Sequence, residues 1–179
     1  MHGRRFSLAA CLALSWALAS CTHAPQDSAT PSIPTPRYTI EQFLSTVSYS
    51  GASFSPDNSK ILVSSDVSGI FNVYAVPVGG GEPVALTEST TESIFARGYF
   101  PGDERFLYSS DKGGNELTHI YVREVDGSTV DITPGEGHKA HFYGWARDDA
   151  SFFVGTNERD QRFFDVYEVS AHDLRTGNA

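Results

Sequence analysis

The chain has 179 residues, 40% hydrophobic and 20% charged, which suits one globular domain or part of a larger one and excludes a disordered chain. Twenty-two acidic residues against 13 basic ones give a formal charge of −9, which argues against nucleic acid as a partner. Both cysteines, Cys11 and Cys21, lie near the N-terminus, so the rest has no disulfide framework, thiol nucleophile or cysteine-based zinc site.

Residues 1–20 read as an export signal. Arg4 and Arg5 give a positive start, Leu8 to Leu18 form an apolar run, and the small residues Ala19 and Ser20 precede Cys21. The run is shorter than the roughly 20 apolar residues a helix needs to cross a bilayer. Leu18-Ala19-Ser20-Cys21 resembles the lipobox of bacterial lipoproteins. That resemblance implies diacylglycerol on the Cys21 thiol and a membrane-anchored domain in the periplasm of the cell envelope. Thr22, rather than aspartate, after the cysteine favours the outer membrane over the inner. A plain secretory signal cut near Ala19 is the alternative. Residues 21–37, with Pro25, Pro31, Pro34 and Pro36, then read as a disordered tether.

Folding is expected from Tyr38. Ile40, Phe43, Leu44 and Val47 share one face of a short helix, with Thr39 as N-cap and Gln42 as its capping-box partner. Beyond it the sequence repeats. Ser65-Asp66 and Ser110-Asp111 recur at an interval of 45 residues, as do Pro56 and Pro101, and a third copy starts at Trp145. Val73-Tyr74, Ile120-Tyr121 and Val166-Tyr167 follow in turn, and Ala85-Leu86-Thr87 and Asp131-Ile132-Thr133 close the first two copies. Runs rich in Val, Ile, Phe and Tyr, separated by Gly, Pro, Asn and Asp, predict about four short strands per copy. They fall at 52–54, 60–65, 71–77 and 83–87, then at 94–100, 105–110, 118–124 and 129–133. The third copy offers 140–145, 151–156 and 163–169, with no clear fourth strand.

This predicts an all-β fold, a partial β-propeller of antiparallel four-stranded blades after a short N-terminal helix. The incomplete propeller covers 38–179, with repeat units at about 51–87, 93–133 and 139–179. A sandwich would not return one motif at a fixed interval. Closed propellers use about four blades or more, so two blades and part of a third leave blade faces uncovered and predict an incomplete domain.

The Ser-Pro-Asp element at 55–57 leading to Ser-Ser-Asp at 64–66 resembles the blades of prolyl oligopeptidase family serine peptidases, and also the TolB propeller. Residues 38–44 with 50–57, the stretch Asp111-Lys112-Gly113-Gly114-Asn115-Glu116, and Asn157-Glu158-Arg159-Asp160 are similar to the exported peptidases. The resemblance spans about residues 38–176. It implies a propeller capping an α/β-hydrolase domain, with the serine, aspartate and histidine of catalysis all in that second domain. No Gly-x-Ser-x-Gly elbow occurs here, so no catalytic residue carries over and this chain alone is expected to be non-catalytic. Glu116, Glu158 and Arg159, in predicted loops, are candidates for lining substrate access, with solvated hairpin tips as the plainer role.

His138 and His141, three apart on a strand, point to opposite faces and do not suit one metal, and no cofactor is expected. Gly79-Gly80-Gly81 and Gly113-Gly114 lack a following helix and phosphate-loop residues, and read as hairpin turns. Trp145 and the paired phenylalanines are expected to pack between blades. The expected function is the non-catalytic propeller portion of an exported prolyl-oligopeptidase-like serine peptidase, gating peptides toward a hydrolase domain outside this chain. A TolB-like envelope propeller binding a protein or peptide, or a truncated product without function, are the alternatives.

Overall fold

A computed structural model describes residues 35–174. The expected signal segment and the lipidation site Cys21 lie outside the described residues, as does the tether up to residue 34. The compact unit starts at Thr39. Its first element is α1 (Ile40–Leu44), and the capping box is formed: Gln42 N–H donates to Thr39 Oγ1 and Thr39 N–H to Gln42 Oε1.

Among the described residues eleven strands follow: β1 (Tyr49–Phe54), β2 (Lys60–Ser65), β3 (Asn72–Pro77), β4 (Val84–Ala85), β5 (Phe95–Tyr99), β6 (Phe106–Ser110), β7 (His119–Arg123), β8 (Thr129–Asp131), β9 (Ala140–Trp145), β10 (Ser151–Asp160) and β11 (Phe163–Ser170). They form three antiparallel meanders: β1 to β4, β5 to β8, and β9 to β11. These are the expected blades, four-stranded twice and three-stranded once, and among the described residues no sheet closes on itself. The fold is all-β and propeller-like.

The same bonds recur in each blade because the same residue types recur. At the first hairpin, Asp57, Asp103 and Asp148 each accept the backbone N–H two residues on, the Asx-turn that aspartate favours. Where the fourth strand closes, Val73 N–H donates to Thr87 Oγ1 and Ile120 N–H to Thr133 Oγ1. Between blades, Ile94 N–H donates to Phe71 O and Ala140 N–H to Thr118 O. These repeated bonds satisfy buried backbone groups that hydrophobic packing alone would leave unpaired.

Alternation on β6 divides the core in two. Phe106 and Tyr108 pack with Leu62, Val73 and Tyr99 between blades one and two. Leu107 faces the other way and joins Phe100, Ile120, Val122, Phe152, Val154 and Val169 between blades two and three. Trp145 meets Phe100 and Phe152 edge-on at 5.0 and 5.1 Å, so its expected place between blades holds, as it does for Phe152. Phe163 and Phe164 are exposed. They lie on β11, the edge strand of its sheet, and among the described residues they do not pack between blades, Phe164 meeting His141 of its own blade instead.

Candidate functional site

In each blade the hairpin between the second and third strands ends at one repeat position, the first residue of the third strand in blades one and two. Asn72 fills it in blade one, His119 in blade two and Asp165, on β11, in blade three. Each meets the hydrogen-bonding demand of its hairpin differently.

Asn72 is buried and fully used. Its amide nitrogen donates to Ser68 Oγ and Ser89 O, and its oxygen accepts from Thr87 Oγ1 and Ser89 N–H. Asp165 is held by Arg159, whose Nε and Nη2 donate to the two carboxylate oxygens at 2.5 and 2.8 Å. Those bonds lower the Asp165 carboxyl below its ordinary value and raise the Arg159 guanidinium.

His119 is arranged differently. It is 8% exposed, and its Nδ1 lies 2.8 Å from Asp131 Oδ2. Asp131 Oδ1 accepts the Thr133 N–H, so the carboxylate is fixed from both sides and Nδ1–H donates to it. His138 stacks on His119 with centroids 5.2 Å apart and planes within 9°. Since Thr133 O can only accept, His138 carries its proton on Nε2, 3.1 Å from that carbonyl. The ring series continues to Tyr121 and then Tyr108, which stack at 5.0 Å and 13°. Burial, then Asp131 and Tyr108, push the Tyr121 phenol up to about 12, and burial also raises Tyr108.

A cavity of about 380 Å³ opens beside this cluster, lined by Lys112, Asn115, Leu117, His119, Tyr121 and Gly135 to Gly137. One wall is the β6–β7 hairpin. Asp111 Oδ2 accepts Glu116 N–H, Asn115 Oδ1 accepts Leu117 N–H, and Glu92 of the preceding linker accepts Gly113 N–H. The other wall is the linker into blade three, where Gly137 O accepts from Gln161 Nε2 and Asn157 Oδ1 accepts Lys139 N–H.

Of the candidates from sequence, Glu116 sits in the β6–β7 hairpin beside Asn115 and Leu117 of the cavity wall, at φ 60, with its carboxylate exposed and 4.0 Å from Lys139 Nζ. Glu158 and Arg159 do not lie in a loop as expected. The β10–β11 ladder resumes beyond a bulge, Asp160 pairs with Phe163, and β10 runs to Asp160. No ion pair or hydrogen bond joins Glu116 to Glu158 or Arg159 among the described residues. His138 precedes β9 and stacks on His119, whereas His141 lies on β9 against Phe164.

The His119–Asp131 pair was missed from sequence because both residues read as strand landmarks. A repeat-to-repeat comparison carries the signal: Tyr74 pairs with Ala85 in blade one, and Tyr121 pairs with Asp131 in blade two. A carboxylate where the sister blade has a methyl group marks a change of chemistry at a constant backbone position.

No family model matches the chain. The dipeptidyl aminopeptidase BIII of Pseudoxanthomonas mexicana is 32% identical over 129 residues, 69% of this chain and 18% of that protein. Putative TolB of Agrobacterium tumefaciens superposes with a TM-score of 0.54 at 22% identity, over 68% of this chain and 42% of that one. TolB of Acinetobacter baumannii gives 0.53 at 15%, over 69% and 30%. A prolyl endopeptidase gives 0.55 at 17% identity, over 73% of this chain and 20% of that one. The chain thus spans 18% of the length of the peptidase it matches and is its distant homologue, with a fold shared by TolB and prolyl endopeptidase propellers.

Proposed function

We propose that the chain is the non-catalytic propeller portion of an exported serine peptidase and gates peptide access to an α/β-hydrolase domain. The observation that carries this reading is the 129-residue similarity to a dipeptidyl aminopeptidase, in a sequence that offers no nucleophile elbow. In this reading Glu116, Glu158 and Arg159, all near second-to-third-strand hairpins, line the route of the peptide. Diacylglycerol on Cys21 holds the protein to the envelope membrane.

The TolB superpositions favour a second reading, a propeller that binds a protein or peptide and belongs to no enzyme. Reading the coding sequence beyond codon 179 separates the two. Further blade repeats followed by Gly-x-Ser-x-Gly are expected. Further repeats and then a stop, with no elbow, would sink the peptidase reading and leave the binding one.

A further inference from the structure

The three blades form an internal control. At one repeat position, blade one places an asparagine with every polar atom used and blade three an aspartate held by Arg159. Blade two places His119, whose Nδ1 is committed to Asp131 while its Nε2 has no hydrogen-bond partner among the described residues. That atom is not sealed in, because no buried side-chain nitrogen or oxygen lacks a partner, and His119 lines the cavity. With the Nδ1 proton directed at Asp131, the neutral imidazole presents a lone pair at Nε2. A cavity of about 420 Å³ lies at the same place in blade one, lined by Ser68, Asn72 and Ser89. There every polar atom of Asn72 is already used, whereas His119 brings an unpartnered nitrogen to the cavity of blade two.

We infer that this cavity is a binding site for a tyrosine side chain of a peptide, its phenolic O–H donating to His119 Nε2 and its ring against Tyr121 and Leu117. The cavity falls within the range of about 300–1,000 Å³ typical of small-ligand sites, and Leu117 and Tyr121 stand in it among the polar side chains of Lys112, Asn115, His119 and Glu136. Lys112 and Glu136 supply a donor and an acceptor for the C=O and N–H of the flanking peptide bonds.

The inference rests on the peptide-handling reading for the carrier of the ring, but its test measures binding and not hydrolysis, so the two fail separately. The full chain is titrated by calorimetry with N-acetyl-tyrosinamide and N-acetyl-phenylalaninamide. Saturable binding of the first, about tenfold or more tighter than the second, is expected, because a site built around a hydroxyl leaves its acceptor unpaired when the hydroxyl is missing. His119→Asn, which installs the residue of blade one, removes the preference while the circular dichroism spectrum stays that of the parent. In the parent protein the Nε2 nitrogen signal of His119 moves with the tyrosine amide and not with the phenylalanine amide. Equal binding of the two amides, no saturation with either, or an unmoved His119 signal would overturn the assignment.

Discussion

Asp57 shows how much one repeated side chain contributes to a turn. Its carboxylate accepts from Ser55 Oγ, Ser59 N–H and Ser59 Oγ, and these bonds hold it down to about 2 against an ordinary 3.8. A depressed carboxyl stabilises the fold when ionised. The contribution is therefore whole above about pH 4 and lost as the pH falls toward 2. Urea unfolding of the parent and of Asp57→Asn should differ near neutrality and converge at about pH 2. A difference that persists unchanged in acid would mean that the charge is not what matters. Gly135 illustrates a different constraint. Its φ of 140 is disfavoured for side-chain-bearing residues, and a Cβ there would stand 2.5 Å from Cε1 of His138, which is buried and stacked on His119. Gly135→Ala should cost about 1–3 kcal/mol in chemical unfolding. Gly79→Ala, with nothing within 4 Å, should change stability by no more than about 0.5 kcal/mol.

At the scale of elements, strands were more legible than the helix, for a physical reason. Strands β2, β6 and β9 begin within a residue of their expected positions because turn chemistry on either side fixes them. The Asx-turn aspartate itself slips. Counting from the residue that closes the first hairpin, Asp57 and Asp148 are two positions on and Asp103 three, so sequence alignment misplaces the turn while the strands stay in step. The helix was expected to carry Ile40, Phe43, Leu44 and Val47 on one face. It stops at Leu44, and Ile40, Phe43 and Leu44 are 73–74% exposed, so the capping box fixes its start and no packing prolongs it. Helices this short have little stability of their own, and most helical stability comes from tertiary contact. Thr39→Ala should therefore abolish amide protection in 40–45 and leave the unfolding midpoint of the sheets unchanged, measurable by hydrogen exchange and by chemical denaturation. A fall in the midpoint would show that α1 is coupled to the blades. The cavity site was illegible for the opposite reason: it depends on which atom of His119 is left over, a property of contacts between distant segments.

For the molecule as a whole, the question is whether the blades behave as one cooperative unit or as neighbours joined at interfaces. Phe100 is where the two possibilities part. It is 1% exposed, meets Trp145 and Phe152 edge-on, and carries the Arg105 guanidinium 4.2 Å from its ring centre. Arg105 in turn donates to Ala171 O, so one cluster ties the first hairpin of blade two to the residues after β11. The core between blades one and two contains none of these residues. Phe100→Ala removes a fully buried ring and should cost about 3–5 kcal/mol. In repeat architectures stability is close to a sum of nearest-neighbour interface terms. The loss should then fall on the interface between blades two and three: amide protection in β10 and β11 drops, while β2 and β3 keep the protection they have in the parent. Hydrogen exchange resolved by strand reads this directly. A uniform drop across all three sheets would mean that the blades unfold as one. The weakness of a single interface would then be felt at every blade, including the wall of the His119 cavity that blade three holds in place through Gln161 and Asn157.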